Sequence, residues 1–165
     1  MEIERRYLLS SVPPFAVDHD TNAFEYEQGY IKSFDVIYER VQRRLPPSEP
    51  KYSRVVKIGH GIEREEFQEN IDEVTFDAIW PATKRHRLHK KRWSIDGPVL
   101  VCNSRKWPVV WEITQFITAR FPLVTAEVEL PSKNCFVGPA PDWLRSFIVE
   151  DVTDNLKFES YFLGV

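Results

Sequence analysis

Thr125-Ala126-Glu127-Val128-Glu129-Leu130 puts two glutamates on one face and three apolar side chains on the other. Such strict alternation marks a β-strand with two unlike sides. The chain opens on the same pattern, Glu2-Ile3-Glu4-Arg5-Arg6-Tyr7-Leu8, where Glu2, Glu4 and Arg6 share a side. Between these two stretches the alternation returns over 26–34, 36–45, 52–58, 62–71, 86–95 and 109–116. It groups Arg40 with Gln42 and Arg44, Val55 with Lys57, Arg64 with Glu66 and Gln68, Lys90 with Arg92, and Glu112 with Thr114. Helical patterns are fewer. One spans 72–82 with Phe76 on its apolar side, and another spans 154–163 with Asp154 as N-cap. The stretch 144–149 reads as a short helix or a strand. Prolines at Pro13-Pro14, Pro46-Pro47, Pro50, Pro139 and Pro141 mark loops. Strands dominate and follow one another as hairpins, so the expected class is mainly β (α+β).

The 165 residues suit one domain, 1–165, with a core of its own. A formal net charge of −3 provides no overall basic field for duplex nucleic acid or an anionic membrane. Any anion site must come from local clustering. No apolar run approaches the roughly 18–20 residues that span a bilayer, and no signal-peptide pattern begins the sequence. Cys102 and Cys135 lack metal-site spacing and read as free thiols in a reducing compartment, which predicts a cytoplasmic protein.

Taken singly, Glu2-x-Glu4-x-Arg6 is an ordinary solvated strand face, and Arg40 to Arg44 an ordinary charge run. His86 and His89 suggest no role, and Trp107, Trp111 and Trp143 read as packing. Taken together, the charged faces number six acids (Glu2, Glu4, Glu66, Glu112, Glu127, Glu129) and seven bases (Arg6, Arg40, Arg44, Lys57, Arg64, Lys90, Arg92). A sheet closed into a barrel lets these faces meet across a lumen and leaves no edges. The aliphatic faces then point outward, under the helices around Phe76 and Phe158. Two Glu-x-Glu pairs repel at close range, and a hard divalent cation relieves that conflict. Arginines and lysines on neighbouring walls match a polyanion rich in oxygens. Carboxylates for a metal beside a fan of cations is a layout for phosphoryl transfer.

In order along the chain, Glu2-Ile-Glu4-Arg-Arg6, Gln28-Gly-Tyr-Ile31, Val55-Val-Lys57-Ile-Gly59, Arg64-Glu-Glu66, Lys90-Lys-Arg92-Trp93, Trp111-Glu-Ile113, Ala126-Glu-Val-Glu-Leu-Pro131 and Asp151-Val-Thr153-Asp resemble the CYTH domain, or triphosphate tunnel metalloenzyme family. The resemblance implies a closed eight-stranded antiparallel β-barrel tunnel with flanking helices. It implies Mg²⁺ or Mn²⁺ as cofactor and hydrolysis of a small linear triphosphate, most simply inorganic triphosphate. Class IV adenylyl cyclase-like ATP cyclisation, or a weakened triphosphate-binding module, are the alternatives. Carried over by position, Glu2, Glu4, Glu127 and Glu129 surround the metal. Arg6, Arg40, Lys57, Arg64, Lys90 and Arg92 hold phosphates, with Arg44 extending the basic face. Glu66 and Glu112, with Arg6, are the catalytic set. The implied partner is a triphosphate-containing small molecule, with a homodimer left open. The sequence departs from the family pattern at Arg6 for lysine, Gln42 for arginine, Gln68 for an acid, Thr114 for aspartate and Asp151 for glutamate.

Overall fold

A computed structural model describes residues 2–20, 23–34, 36–45, 49–135 and 138–165 of the chain. Pro46 and Pro47, read above as a loop, lie outside the described residues. Each alternating stretch is a strand: β1 (Glu2–Leu9), β2 (Ala23–Phe34), β3 (Ile37–Leu45), β4 (Lys51–Ile58), β5 (Glu63–Ile71) and β6 (Arg87–Asp96). A small hairpin follows, β7 (Leu100–Cys102) and β8 (Arg105–Trp107), then β9 (Val110–Thr118) and β10 (Leu123–Glu129). The sheet runs β10-β9-β6-β2-β3-β4-β5-β1, and pairing of β1 with β10 closes it into the eight-stranded barrel.

The closure has a seam. β1 meets β5 at Glu2↔Arg64 and Ile3↔Glu63. Further along, the same edge of β1 pairs instead with β11 (Ile148–Asp151), through Tyr7↔Asp151 and Leu8↔Glu150. The chain after β11 fills the gap this leaves.

Outward side chains of β6, β9 and β10, including Trp93, Ile113, Ala126 and Val128, form one core. It is roofed by Ala16 of α1 (Pro14–Asp18) and Leu144 of α3 (Asp142–Arg145). On the opposite wall α2 (Glu73–Ile79) starts where Asp72 accepts from the Thr75 N–H at 2.7 Å. Its Phe76 lies beside Tyr52, ring centroids 5.1 Å apart. The following turn presses so close to β2 that a Cβ on Gly29 would stand 2.3 Å from Thr83 Oγ1 and 2.8 Å from the Trp80 ring. Only glycine admits that approach.

A second core lies inside the barrel. Tyr30, Tyr38, Leu88, Phe116 and Leu123 share strand parity with the charged residues, so they point into the lumen and fill one end of it. Leu163, Phe158, Tyr161 and Phe162 complete that cluster. Phe158 therefore plugs the lumen and does not cover the outside, contrary to the sequence expectation. The single helix expected over 154–163 is broken as well. A 3₁₀ turn at Leu156–Phe158, capped by Asn155, precedes α4 (Ser160–Leu163), and Glu159 between them is extended. The Glu159 carboxylate accepts from the Gly61 N–H at 3.3 Å and lies 3.8 Å from Arg64, and these contacts hold that residue out of a helix.

The free-thiol reading is corrected too. Cys102 and Cys135 form a disulfide, with Cα atoms 5.6 Å apart and both residues buried. Their separation of 33 residues hid the pairing, because the β7–β8 hairpin that brings Cys102 to the segment after β10 has too few residues to show a period. The thiol argument for a reducing compartment falls with it. Cys102→Ser/Cys135→Ser is expected to cost about 2–4 kcal/mol, read as a lower midpoint in thermal unfolding. An unchanged midpoint would mean that the bridge constrains nothing.

Candidate active site

The charged half of the lumen is a cavity of about 450 Å³, within the range of small-molecule sites. The register sets its pairings, because cross-strand neighbours meet face to face. Arg6 sits opposite Glu127 and Glu4 opposite Glu129 on β1 and β10, and Lys57 sits opposite Glu66 on β4 and β5. Gln28 is opposite Gln42, and Lys90 opposite Tyr26.

Most charges in the cavity are already matched. Arg6 donates through Nε to Glu127 at 2.6 Å, through Nη2 to Glu4 at 2.7 Å, and through Nη1 to the Phe158 carbonyl at 3.2 Å. Arg64 donates to the same Glu4 oxygen and lies 3.4 Å from Glu2. Arg92 donates to Glu127 at 2.7 Å, to Glu112, and through Nε to Thr114 Oγ1 at 3.0 Å. Lys57 bridges Glu2 at 2.9 Å and Glu66 at 2.5 Å. Burial by itself would depress Arg6 and raise Glu127. Their mutual attraction wins, so Arg6 is raised and the Glu127 carboxyl is held well below the usual range.

Three groups stand apart. Among the described residues no carboxylate lies within ion-pair distance of Lys90 or Arg40, and no cation lies within that distance of Glu129. Lys90 is 4% exposed, with its Nζ 5.8 Å from the centroid of Phe116 and 5.9 Å from that of Tyr26. Burial, then repulsion from Arg92 and Arg40, drives its pKa well below the ordinary lysine value. Glu129 is its mirror image at the mouth. Desolvation, then repulsion from Glu2, Glu112, Glu4 and Glu66, raises its carboxyl. The buried Gln28 amide donates to Gln42 at 2.8 Å.

The cavity thus gathers Glu2, Glu4, Arg6, Arg40, Lys57, Arg64, Glu66, Lys90, Arg92, Glu112, Glu127 and Glu129, as the alternation predicted. Arg44 is set apart from that lining, its guanidinium 4.5 Å from the Phe24 ring centroid. Trp107 is another departure. Read as packing, it is 38% exposed and lines the mouth with Pro108 and Pro131. Trp111 is core, and Trp143 stacks on Phe15. Sequence reasoning also missed Ser160, which lines the cavity from the C-terminal segment and belongs to no alternating pattern.

The chain is 28% identical over 170 residues to an inorganic triphosphatase of Nitrosomonas europaea, covering 99% of this chain and 97% of that protein. It superposes on a crystal structure of the inorganic triphosphatase NE1496 with a TM-score of 0.61 and 26% identity, over 98% of this chain and 92% of the other. The PH1819 protein of Pyrococcus horikoshii shares the fold at a TM-score of 0.54 and 11% identity, over 81% and 80% of the two chains. No family model matches the chain. Along nearly its whole length the chain is similar in sequence and fold to inorganic triphosphatases, in line with its resemblance to CYTH-type tunnel proteins.

In this tunnel the departures from the CYTH pattern it resembles have visible consequences. Thr114, fully buried, serves as acceptor for Arg92. Gln42 replaces a cation with the partner of Gln28. Gln68 lies at the exposed rim. Among the described residues no helix is long and apolar enough to cross a membrane.

Proposed function

We propose that the chain hydrolyses a short linear triphosphate, most simply inorganic triphosphate. The observation that carries this reading is the pair of cations, Lys90 and Arg40, unmatched among the described residues in a lumen whose other charges, Glu129 at the mouth apart, are matched. Buried charge without a partner is costly, and a polyanion relieves it. The relative named inorganic triphosphatase spans nearly the whole chain and supports the same substrate.

The donor chemistry suits a divalent metal. Among the described residues no three acidic, histidine or cysteine side chains converge as a ready site. Yet Glu129 carries a carboxyl raised partly by its acidic neighbours, a conflict that Mg²⁺ or Mn²⁺ removes. Glu129 and Glu2, with Glu4 opposite Glu129, would hold the ion. Bound there, it would neutralise phosphate charge and lower the pKa of a coordinated water. Glu127, expected beside the metal as well, accepts from Arg6 and Arg92 and fixes both. Those arginines, with Arg64 and Lys57, form a preorganised wall that needs no rearrangement as charge develops on the departing phosphate. Arg40 and Lys90 grip the substrate chain, and Glu66 and Glu112 keep Lys57 and Arg92 aimed at it.

The test is phosphate release from inorganic triphosphate, ATP and thiamine triphosphate with Mg²⁺, Mn²⁺ or EDTA. Metal-dependent release from inorganic triphosphate is expected. Tight binding without release from any substrate would make the tunnel a receptor, and cyclic AMP formed from ATP would make it a cyclase.

Lys90 supplies a further check. Burial and the neighbouring cations Arg92 and Arg40 hold its pKa well below the ordinary lysine value, and an arriving polyanion moves it back upward. Binding should therefore take up a proton, up to about one per site, at pH between the depressed and ordinary values. Calorimetry in buffers of different ionisation enthalpy reads this uptake, and Lys90→Met should abolish it. Equal uptake by the variant would assign the proton elsewhere.

A further inference from the structure

The lumen has one open mouth and one blind end. At the blind end Tyr30, Tyr38, Leu88, Phe116 and Leu123 converge from the walls, and Tyr161 and Leu163 close the remaining space. The charged cavity stops at Ser160, which also borders a small pocket of about 30 Å³ beneath it, beside Arg6, Arg40 and Arg64. That pocket has room for about one water.

The plug is bonded in place. The Phe158 carbonyl accepts from Arg6 at 3.2 Å, and Glu159 accepts from the Gly61 N–H at 3.3 Å. Ser33 donates to the Tyr161 hydroxyl at 2.7 Å. The His86 ring stacks on Tyr161 at 4.5 Å, and its Nε2 lies 2.6 Å from the Tyr161 carbonyl oxygen. Bonds to β1 and β2, to the turn before β5 and to His86 just ahead of β6 make this a wall and not a lid.

Resting on the triphosphate reading above, we propose that the tunnel is a blind pouch that reads a free chain end. Its substrates are linear polyphosphates with an unesterified terminal phosphate, inserted end-first until that phosphate meets Arg6, Arg40, Arg64 and Ser160. The other end of the substrate stays at the mouth beside Trp107, Pro108 and Pro131. An unesterified end carries more charge and one more terminal oxygen than an esterified one, which suits the unmatched Arg40 and Lys90. An ester group at the leading end would have to enter a packed apolar core, where overpacking is strongly unfavourable. At the mouth the same group meets an exposed aromatic and two prolines.

Calorimetry without added metal, so that turnover does not intervene, tests this with three ligands. They are inorganic triphosphate, phenyl triphosphate (one free end) and P1,P4-diphenyl tetraphosphate (no free end, with the charge of phenyl triphosphate). The first two are expected to bind, and the doubly esterified chain to bind at least about 100-fold more weakly than phenyl triphosphate. Binding of the doubly esterified chain within about threefold of phenyl triphosphate would overturn the blind-pouch reading while leaving the triphosphate reading standing. Rejection of phenyl triphosphate would overturn the assignment of the second end to the mouth. Failure of inorganic triphosphate itself to bind would overturn the triphosphate reading and this inference together.

Discussion

Glu129→Gln is expected to lower metal-dependent triphosphate turnover by about 10²–10³-fold, the loss seen when one preorganised charge-stabilising group is removed. Its thermal midpoint should stay level or rise. Glu129 has no cation within ion-pair distance among the described residues, and its acidic neighbours already disfavour its charge. The neutral amide relieves that repulsion but gives up an anionic oxygen donor for the ion. A rise in the metal concentration needed for half-maximal rate should accompany the loss. Turnover and metal requirement like those of the unsubstituted chain would remove Glu129 from the metal set.

Glu127→Gln should show the opposite balance, with stability falling first. The Glu127 carboxylate is buried and bonded to Arg6 at 2.6 Å and Arg92 at 2.7 Å. Breaking it leaves two buried guanidinium groups short of a partner, which costs about 3–5 kcal/mol and lowers the midpoint by roughly 10 °C in a domain of this size. The pH dependence follows from the sign of the shift. Against the opposing effect of burial, Arg6 and Arg92 depress the folded-state pKa below the ordinary 4.5. The stabilisation is therefore fully present above that value and lost as pH falls through the folded-state value. Glu127→Gln should flatten this acid limb of the stability profile. A variant as stable as the parent, with an unchanged acid limb, would show that Arg6 and Arg92 find other partners.

The two glutamates sit two residues apart on one strand face and look alike in the sequence, which places both among the expected metal ligands. Their difference comes from across the barrel. Glu127 lies opposite Arg6 and Glu129 opposite Glu4, a consequence of the β1–β10 register. Register between the first and last barrel strands is a property of closure and shear, and no local pattern carries it.

Other outcomes divide along the same line. Period-two alternation identified the eight barrel strands and the side of each that faces inward, because burial on one face leaves a mark every second residue. The charges on those faces lead, by chemistry alone, to the expectation of a polyanion and a divalent metal. Tertiary structure alone decided which charges neutralise one another and that Lys90, Arg40 and Glu129 remain unmatched among the described residues. It decided that aromatics at the inward positions of 30, 38 and 116 fill one end of the lumen, with the C-terminal segment as their plug. It also decided that Cys102 reaches Cys135. A residue's neighbours along the chain report which way it points. The group it meets there is set by distances across a closed barrel, between residues that can lie more than a hundred positions apart.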